Sequence, residues 1–105
     1  MSADIRPVET SYDGHRFRSR AEAGWAVFFN AAGLRYEYEK EGFDLNGVWH
    51  LPDFWLPEIG FWLEIKGGEP TEQKEGLCQE LADRSGQPVL LAIGAPEPRN
   101  QLLVH

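Results

Sequence analysis

The sequence predicts an α/β fold in which two helices flank a mixed four-stranded sheet, built as a three-strand meander plus one crossover strand. Three observations lead to this prediction. Two segments carry helix-capping signals, three β-rich runs stand between them, and a continuous apolar run follows the second segment. A strand that arrives through a helical crossover is expected to run parallel to its neighbour in the sheet.

Both predicted helices have recognisable ends. Ser19 and Glu22 form a capping box, which predicts that the first helix begins after Ser19 and ends near Gly33. Thr71 is a typical N-cap residue, and the second helix is expected to run from there to about Ser85. The first helix has an apolar stripe that predicts one face packed on the sheet. Its members are Ala21, Trp25, Phe28, Phe29 and Ala32.

The strands are predicted from alternation and from β-branched and aromatic content. Residues 34–39 alternate apolar and charged side chains, as a half-buried strand does. Residues 47–56 and 60–66 are the second and third strands, and the short connection between them predicts an antiparallel hairpin. Pro52 lacks an amide donor and predicts an irregular strand position. Residues 89–93 are wholly apolar, which predicts a strand buried on both faces, and Leu102–Val104 is a candidate last strand.

Length and composition indicate one domain, with a core at about residues 12–94 and a loose N-terminal arm at residues 1–11. The sequence contains no apolar run long enough to span a membrane and no secretory signal pattern, so we expect a cytoplasmic protein. Cys78 is the only cysteine, which excludes an intrachain disulfide and a cysteine-based zinc site.

Charge is unevenly distributed along the chain. The formal net charge of −7 argues against simple coating of nucleic acid. Arg16, Arg18 and Arg20, however, cluster just before the first helix. Two interpretations of this cluster stay open: a patch that binds phosphate, and an ordinary solvated loop.

Asp53, Glu64 and Lys66 carry the strongest chemical signal. Glu64 and Lys66 are two residues apart, so on a strand they point to the same face, and an irregularity at Pro52 can turn Asp53 toward them. Two acids that share a divalent cation beside a lysine suit metal-assisted hydrolysis of a phosphodiester. The alternative for each residue is structural: a turn aspartate, and an exposed ion pair on the sheet.

Pro52-Asp53 followed by Glu64-Ile65-Lys66, on the second and third strands between two helices, resembles the PD-(D/E)XK nuclease superfamily. The resemblance covers roughly residues 12–94, and it is closest to small stand-alone members from bacteria and phages. It rests also on the helix start Arg18-Ser19-Arg20-Ala21-Glu22, the tryptophan-rich first helix and the turn Lys66-Gly67. It implies a restriction-endonuclease-like core.

The resemblance also implies roles for individual residues. Asp53 and Glu64 would bind Mg²⁺, with Mn²⁺ as a substitute and the Ile65 carbonyl as a further ligand. Lys66 would orient the attacking water and stabilise charge on the phosphate. Glu22 matches the helix acid that completes the metal site in many members, although its capping position explains it without catalysis. Lys74 matches the place of a basic helix residue near the scissile phosphate; the alternative is an exposed helix lysine.

The sequence therefore predicts a metal-dependent nuclease that acts on DNA. No separate DNA-reading module is evident, so selection of DNA structure, through a homodimer or a partner protein, is expected rather than sequence specificity. Arg16, Arg18, Arg20 and Lys74 are the predicted substrate-binding residues. Among the tryptophans, Trp62 is expected to be the best base-stacking candidate, and His50 is expected to face away from Asp53. The alternative function is a catalytically silent accessory subunit on the same fold.

Overall fold

The computed structural model describes residues 9–68, 71–96 and 102–104, and for the last three it describes the backbone alone. These residues contain two helices and nine short strands, joined by turns and loops. In chain order the elements are β1 (Thr10–Tyr12), β2 (His15–Phe17), α1 (Arg20–Ala32), β3 (Glu37–Tyr38), β4 (Phe43–Leu45), β5 (Val48–His50), β6 (Phe54–Leu56), β7 (Phe61–Lys66), α2 (Glu72–Ser85), β8 (Val89–Ile93) and β9 (Leu102–Val104).

The central sheet is mixed, as predicted. Its strand order is β3-β6-β7-β8-β9. The first three strands are antiparallel neighbours, and β8 joins β7 in parallel after the crossover through α2. The four predicted strands are therefore all present, and β9 adds a fifth along the outer edge of β8. The α/β class is confirmed at this level.

The helix ends follow the capping signals. The Ser19 hydroxyl accepts a hydrogen bond from the Glu22 amide at 3.2 Å, and α1 ends at Gly33. The Thr71 hydroxyl accepts one from the Lys74 amide at 3.1 Å, and α2 ends at Gly86. Each cap satisfies an amide that has no partner within the helix, which is why these short polar residues set the helix starts.

The predicted second strand is divided in two. Residues 47–56 were expected to form one run, but they form β5 and β6 with a break at Leu51–Asp53. β5 pairs with β4 in a separate hairpin and leaves β6 alone in the central sheet. Proline at position 52 explains the break, because it cannot donate a ladder hydrogen bond. The first predicted strand, residues 34–39, is also shorter, since only Glu37–Tyr38 pairs.

The predicted N-terminal arm is partly wrong. Residues 1–8 lie outside the described residues, but Thr10–Tyr12 pairs with His15–Phe17 in a hairpin. The Asp13 carboxylate in its turn accepts hydrogen bonds from the Tyr36 hydroxyl at 2.6 Å and from the Asn30 amide at 3.2 Å. This hairpin therefore packs against α1 as part of the folded domain.

Two hydrophobic clusters cover the two faces of the central sheet. The α1 face is aromatic, with Phe17, Phe29 and Phe54 buried together. The α2 face buries Leu45 of the β4–β5 hairpin with Trp62 and side chains of α2 and β8. Phe28 and Ala32 were expected to belong to the packed stripe of α1, but the Phe28 side chain is 46% exposed and Ala32 is also exposed.

Within the ranges described by the structure, neither helix is long and apolar enough to cross a membrane. α1 has 13 residues and α2 has 14, whereas a membrane span needs about 20 apolar residues.

Candidate functional site

Asp53 and Glu64 lie opposite each other on adjacent strands. Phe54 of β6 pairs with Leu63 of β7, and continuing this antiparallel register by one residue sets Asp53 against Glu64. Two hydrogen bonds fix the pair. The Asp53 amide donates to Glu64 Oε1 at 3.0 Å, and the Ile65 amide donates to Asp53 Oδ2 at 2.7 Å. The break in the strand at Pro52 frees the Asp53 amide and carboxylate for these contacts.

Two further side chains contact Glu64, whose carboxylate is fully buried. Lys74 Nζ forms an ion pair with Glu64 Oε2 at 3.2 Å, and His50 Nε2 contacts the same oxygen. Lys74 reaches this point because the Thr71 cap places it in the first turn of α2. A buried carboxylate is costly unless it is paired and hydrogen-bonded, and these contacts supply that pairing.

These groups line one side of a cleft of about 400 Å³. It opens between the β4–β5 hairpin, the ends of β6 and β7, and the start of α2. The rim carries Arg18, whose guanidinium pairs with Glu39 at 2.8 Å. The cleft is lined by Arg18, Trp49, His50, Leu51, Asp53, Glu64, Ile65 and Lys74. An acidic floor with cations at its edge is thus the main chemical feature of this cavity.

The surroundings shift the pKa values of Asp53 and Glu64 in opposite directions. Burial, the neighbouring Glu64 charge and the Glu22 charge raise the pKa of Asp53 well above its usual range. Burial also raises the pKa of Glu64, but the hydrogen bond from His50 and the Lys74 charge outweigh it, so the net pKa is lowered. Burial lowers the pKa of Lys74, yet Glu64 and Asp53 raise it more, and the ammonium stays charged. Burial and the neighbouring charges therefore favour the protonated form of Asp53, whereas the contacts of Glu64 favour its ionised form.

Glu22 is buried in the first turn of α1 and contacts the N-cap residue Ser19. Its backbone amide donates to the Ser19 hydroxyl, and its Oε2 accepts from that same hydroxyl, both at 3.2 Å. The Ser19 half of the capping box is thus formed, whereas the Glu22 carboxylate contacts the Ser19 side chain and not its backbone amide. Glu22 Oε1 accepts from the Tyr38 hydroxyl at 2.6 Å, and that same hydroxyl accepts from the Arg18 amide. Its structural role is confirmed by these contacts, while its catalytic role stays a prediction.

The donors present suit a magnesium ion that keeps several waters. Across the residues described, no group of three or more His, Cys, Asp or Glu side chains is arranged to hold a metal. Asp53 and Glu64 remain a pair of facing carboxylates, and Ile65 lines the same cleft. Mg²⁺ is commonly bound through one or two carboxylates, with water and substrate oxygens completing the shell. The Glu64 charge raises the pKa of Asp53, and a divalent cation between the two carboxylates would reduce this repulsion. The two carboxylates are therefore compatible with Mg²⁺ held by few protein ligands, and magnesium binding itself stays a prediction.

The structure separates the other predicted site residues. Lys66 is half-buried on β7, two positions beyond Glu64, and it is not among the residues that line the cleft. Arg16 and Arg20 are exposed and also lie outside that lining, whereas Arg18 and Lys74 belong to it. The lysine that pairs with the carboxylates is thus Lys74 of α2, and the role of Lys66 stays a prediction.

Two expectations about the aromatic and histidine residues are wrong. His50 was expected to face away from Asp53, but it contacts Glu64 because it ends β5, a strand separate from β6. Trp62 was expected to be the best stacking candidate, but it is buried and its Nε1 donates to Ser85. The overlooked signal is Asn46-Gly47, the typical sequence of a two-residue hairpin turn, which predicts the β4–β5 hairpin.

Comparison with family models, curated proteins and solved structures finds no match for this chain. The functional assignment therefore depends on the geometry and chemistry of the cleft. Its features are two facing carboxylates, a lysine and a histidine on one of them, and an arginine at the rim.

Proposed function

We propose that this protein is a metal-dependent nuclease that hydrolyses phosphodiester bonds in DNA. The observation that carries the proposal is the reciprocal placement of Asp53 and Glu64 in a cleft that also holds Lys74. The resemblance of Pro52-Asp53…Glu64-Ile65-Lys66 to PD-(D/E)XK nucleases supports the same conclusion from the sequence. Phosphoryl chemistry needs little covalent participation by protein groups and depends mainly on positioning and electrostatics.

In this proposal Asp53 and Glu64 hold Mg²⁺, or Mn²⁺ in its place. When bound, the cation supplies positive charge to the phosphate oxygens and favours ionisation of a water molecule. His50 and Lys74 hold the Glu64 carboxylate in one orientation, and the Asp53 amide fixes its other oxygen. Holding the two acids rigid lets them keep a cation in place without reorganisation at the moment of reaction.

Lys74 and Arg18 provide the fixed positive charge in this proposal. Lys74 is only 22% exposed and is held by Glu64, so its charge is positioned at little further entropic cost. Arg18 is an exposed cation at the rim and can contact a neighbouring phosphate. Both cations line the cleft beside the two acids, and each is also paired with a carboxylate, Lys74 with Glu64 and Arg18 with Glu39.

Cleavage of a panel of labelled DNA tests this function. Wild type, Asp53→Asn and Glu64→Gln would be purified in parallel and incubated with single-stranded, duplex and branched DNA, and with RNA, in Mg²⁺ or Mn²⁺. We expect metal-dependent cleavage of DNA by the wild type that falls at least a hundredfold in each variant, because each removes charge from the metal site. Equal cleavage by all three proteins would indicate a contaminant and contradict the proposal. DNA binding without cleavage in any of them would favour the silent accessory subunit.

A further inference from the structure

Trp49 is a large aromatic side chain exposed at the mouth of the cleft. Its side chain is 70% exposed, although tryptophan is usually among the most buried residues by area. It lines the same cleft as Asp53, Glu64 and Lys74, and it is adjacent in the chain to His50, which contacts Glu64. Because most of this side chain is exposed, burial of the indole contributes little apolar area to the core.

The β4–β5 hairpin holds this indole in place. The turn at Asn46-Gly47 closes the hairpin, and the Gly47 amide donates to Asp44 Oδ1 at 2.7 Å. Asp44 pairs with Trp49 across the two strands. A Cβ added at Gly42 would lie 2.2 Å from Cζ2 of the indole, so the ring packs directly against the Gly42 backbone. The ring is therefore supported by the Gly42 backbone, and Trp49 is at the same time one of the residues that line the cleft.

We propose that Trp49 stacks on an unpaired nucleobase of a DNA strand whose phosphate lies at Asp53 and Glu64. This inference rests on the proposed nuclease function and names its preferred substrate: single-stranded or frayed DNA rather than continuous duplex. In a duplex both faces of each base are covered by neighbouring bases, so only a base outside the stack can meet an indole. Stacking of bases on aromatic side chains tolerates any sequence, which agrees with the weak sequence specificity that the amino-acid sequence predicts.

Charge at the cleft supports a nucleic acid strand as the occupant. Arg18 and Lys74 line the same cavity as Trp49, and both can contact the phosphates that flank a stacked base. An exposed aromatic beside a cation is the combination that single-strand-binding grooves use. A protein partner covering Trp49 is the competing occupant, and the following experiment separates it from DNA.

Fluorescence anisotropy with two matched single-stranded probes tests the inference. One probe is a labelled oligothymidylate, and the other is an oligomer of the same length whose residues lack bases, so both carry the same phosphate charge. Binding is measured in full-length Asp53→Asn, which keeps the strands intact. Adding Trp49→Ala is expected to weaken oligothymidylate binding roughly 5- to 150-fold, the range that base stacking contributes, and to leave binding of the abasic probe unchanged.

Three further variants make the result specific. Trp49→Phe keeps an aromatic ring and should restore most of the affinity. Gly42→Ala displaces the indole without removing it, because the added methyl group would overlap the ring, and should also weaken oligothymidylate binding. Ile59→Ala removes a comparably exposed apolar side chain in the β6–β7 turn, away from the cleft, and should bind both probes as the parent does. Thermal melting of each variant checks that it folds.

Two results would overturn the inference. One is equal oligothymidylate binding by the parent and the Trp49→Ala variant, including the case in which neither binds. The other is tighter binding of a blunt duplex than of the single strand. Because this assay measures binding by a variant that does not cleave, its outcome is separate from the cleavage test of the proposed function. Cleavage by wild type together with a Trp49→Ala variant that binds normally would reject the stacking role and keep the nuclease.

Discussion

The two faces of the central sheet differ in what their buried side chains do. The α1 face packs rings and aliphatic chains such as Phe17, Phe29 and Phe54 with no charged group of β6 or β7 among them. The α2 face buries the Glu64 carboxylate beside Trp62 and Leu91 and opens into the cleft at Asp53. Alternation along β6 and β7 thus directs the acids of these two strands to the α2 face, while both faces bury hydrophobic side chains.

The largest expected effect is on the α1 face. Phe54→Ala removes a fully buried ring that contacts four other aromatic side chains, and it should lower the free energy of unfolding by about 3–5 kcal/mol. Urea denaturation measures this loss. Phe28→Ala is the matched control, because the exposed ring of Phe28 should cost less than about 1 kcal/mol. Equal losses in the two variants would contradict the assignment of this face to the core.

The next effect contrasts the two lysines on the α2 side. Lys74→Met leaves the buried Glu64 without its ammonium partner and should cost about 2 kcal/mol of stability. It should also lower DNA cleavage about a hundredfold, the loss typical of one fixed electrostatic group. Lys66→Met should change stability by less than about 0.5 kcal/mol. Cleavage that falls in Lys66→Met and not in Lys74→Met would restore the role that the sequence motif gives to Lys66.

A third effect concerns the cost of two facing acids. The folded protein raises the pKa of Asp53, so it binds this proton more tightly than the unfolded chain does. The stabilisation that protonated Asp53 gives to the folded state is complete below the unfolded pKa of about 3.9, and it is lost as pH rises through the folded pKa. Asp53→Asn cannot lose a proton, so in EDTA it should become more stable relative to wild type as pH rises.

The size of that difference follows from linkage. It should grow by about 1.4 kcal/mol for each pH unit between the unfolded and folded pKa values of Asp53. Urea denaturation of both proteins in EDTA, from pH 4 upward, measures it. Glu64 has a lowered pKa and acts in the opposite direction; it is present in both proteins, so comparing them measures Asp53 together with its coupling to Glu64. A difference in stability that does not change with pH would contradict the repulsion inferred for this pair.

The smallest expected effect tests the acid of the α1 helix. Tyr38→Phe removes the hydroxyl that donates to the buried Glu22 at 2.6 Å, and it should cost about 1 kcal/mol. Tyr36→Phe removes a hydroxyl that donates to the exposed Asp13 and should cost less. Thermal melting compares the two. An equal or larger loss of stability in Tyr36→Phe would show that burial of Glu22 does not strengthen the hydrogen bond that it accepts from Tyr38.

Much of the fold could be predicted because its signals are local. Ser19 and Thr71 are side chains that cap their own helices, and the apolar run at Val89–Ile93 has no polar face to expose. The division of residues 47–56 is not evident from periodicity because apolar and aromatic residues continue on both sides of Pro52. Asn46-Gly47 carries the local signal for the β4–β5 hairpin, but the predicted strand begins at Gly47 and so includes half of that turn.

Part of the candidate site could also be predicted, because Asp53 and Glu64 lie on two neighbouring strands joined by a short turn. Asp53 and Glu64 face each other because the register of β6 and β7 is fixed by buried side chains on both strands. The partners of Glu64 come from elements whose relative placement depends on tertiary packing. Lys74 arrives with α2, and His50 arrives with the β4–β5 hairpin. No spacing in the sequence encodes either contact.

The most direct test of the central claim is a titration of Mn²⁺ into wild type and Asp53→Asn by isothermal titration calorimetry. The claim is that Asp53 and Glu64 form a divalent cation site on the α2 face. It predicts saturable binding to the wild type that is lost in Asp53→Asn and in Glu64→Gln, while Glu58→Gln, an exposed acid that contacts the Arg35 amide, binds as the wild type does. Binding of equal strength in wild type and Asp53→Asn, or no binding in wild type, would contradict the claim.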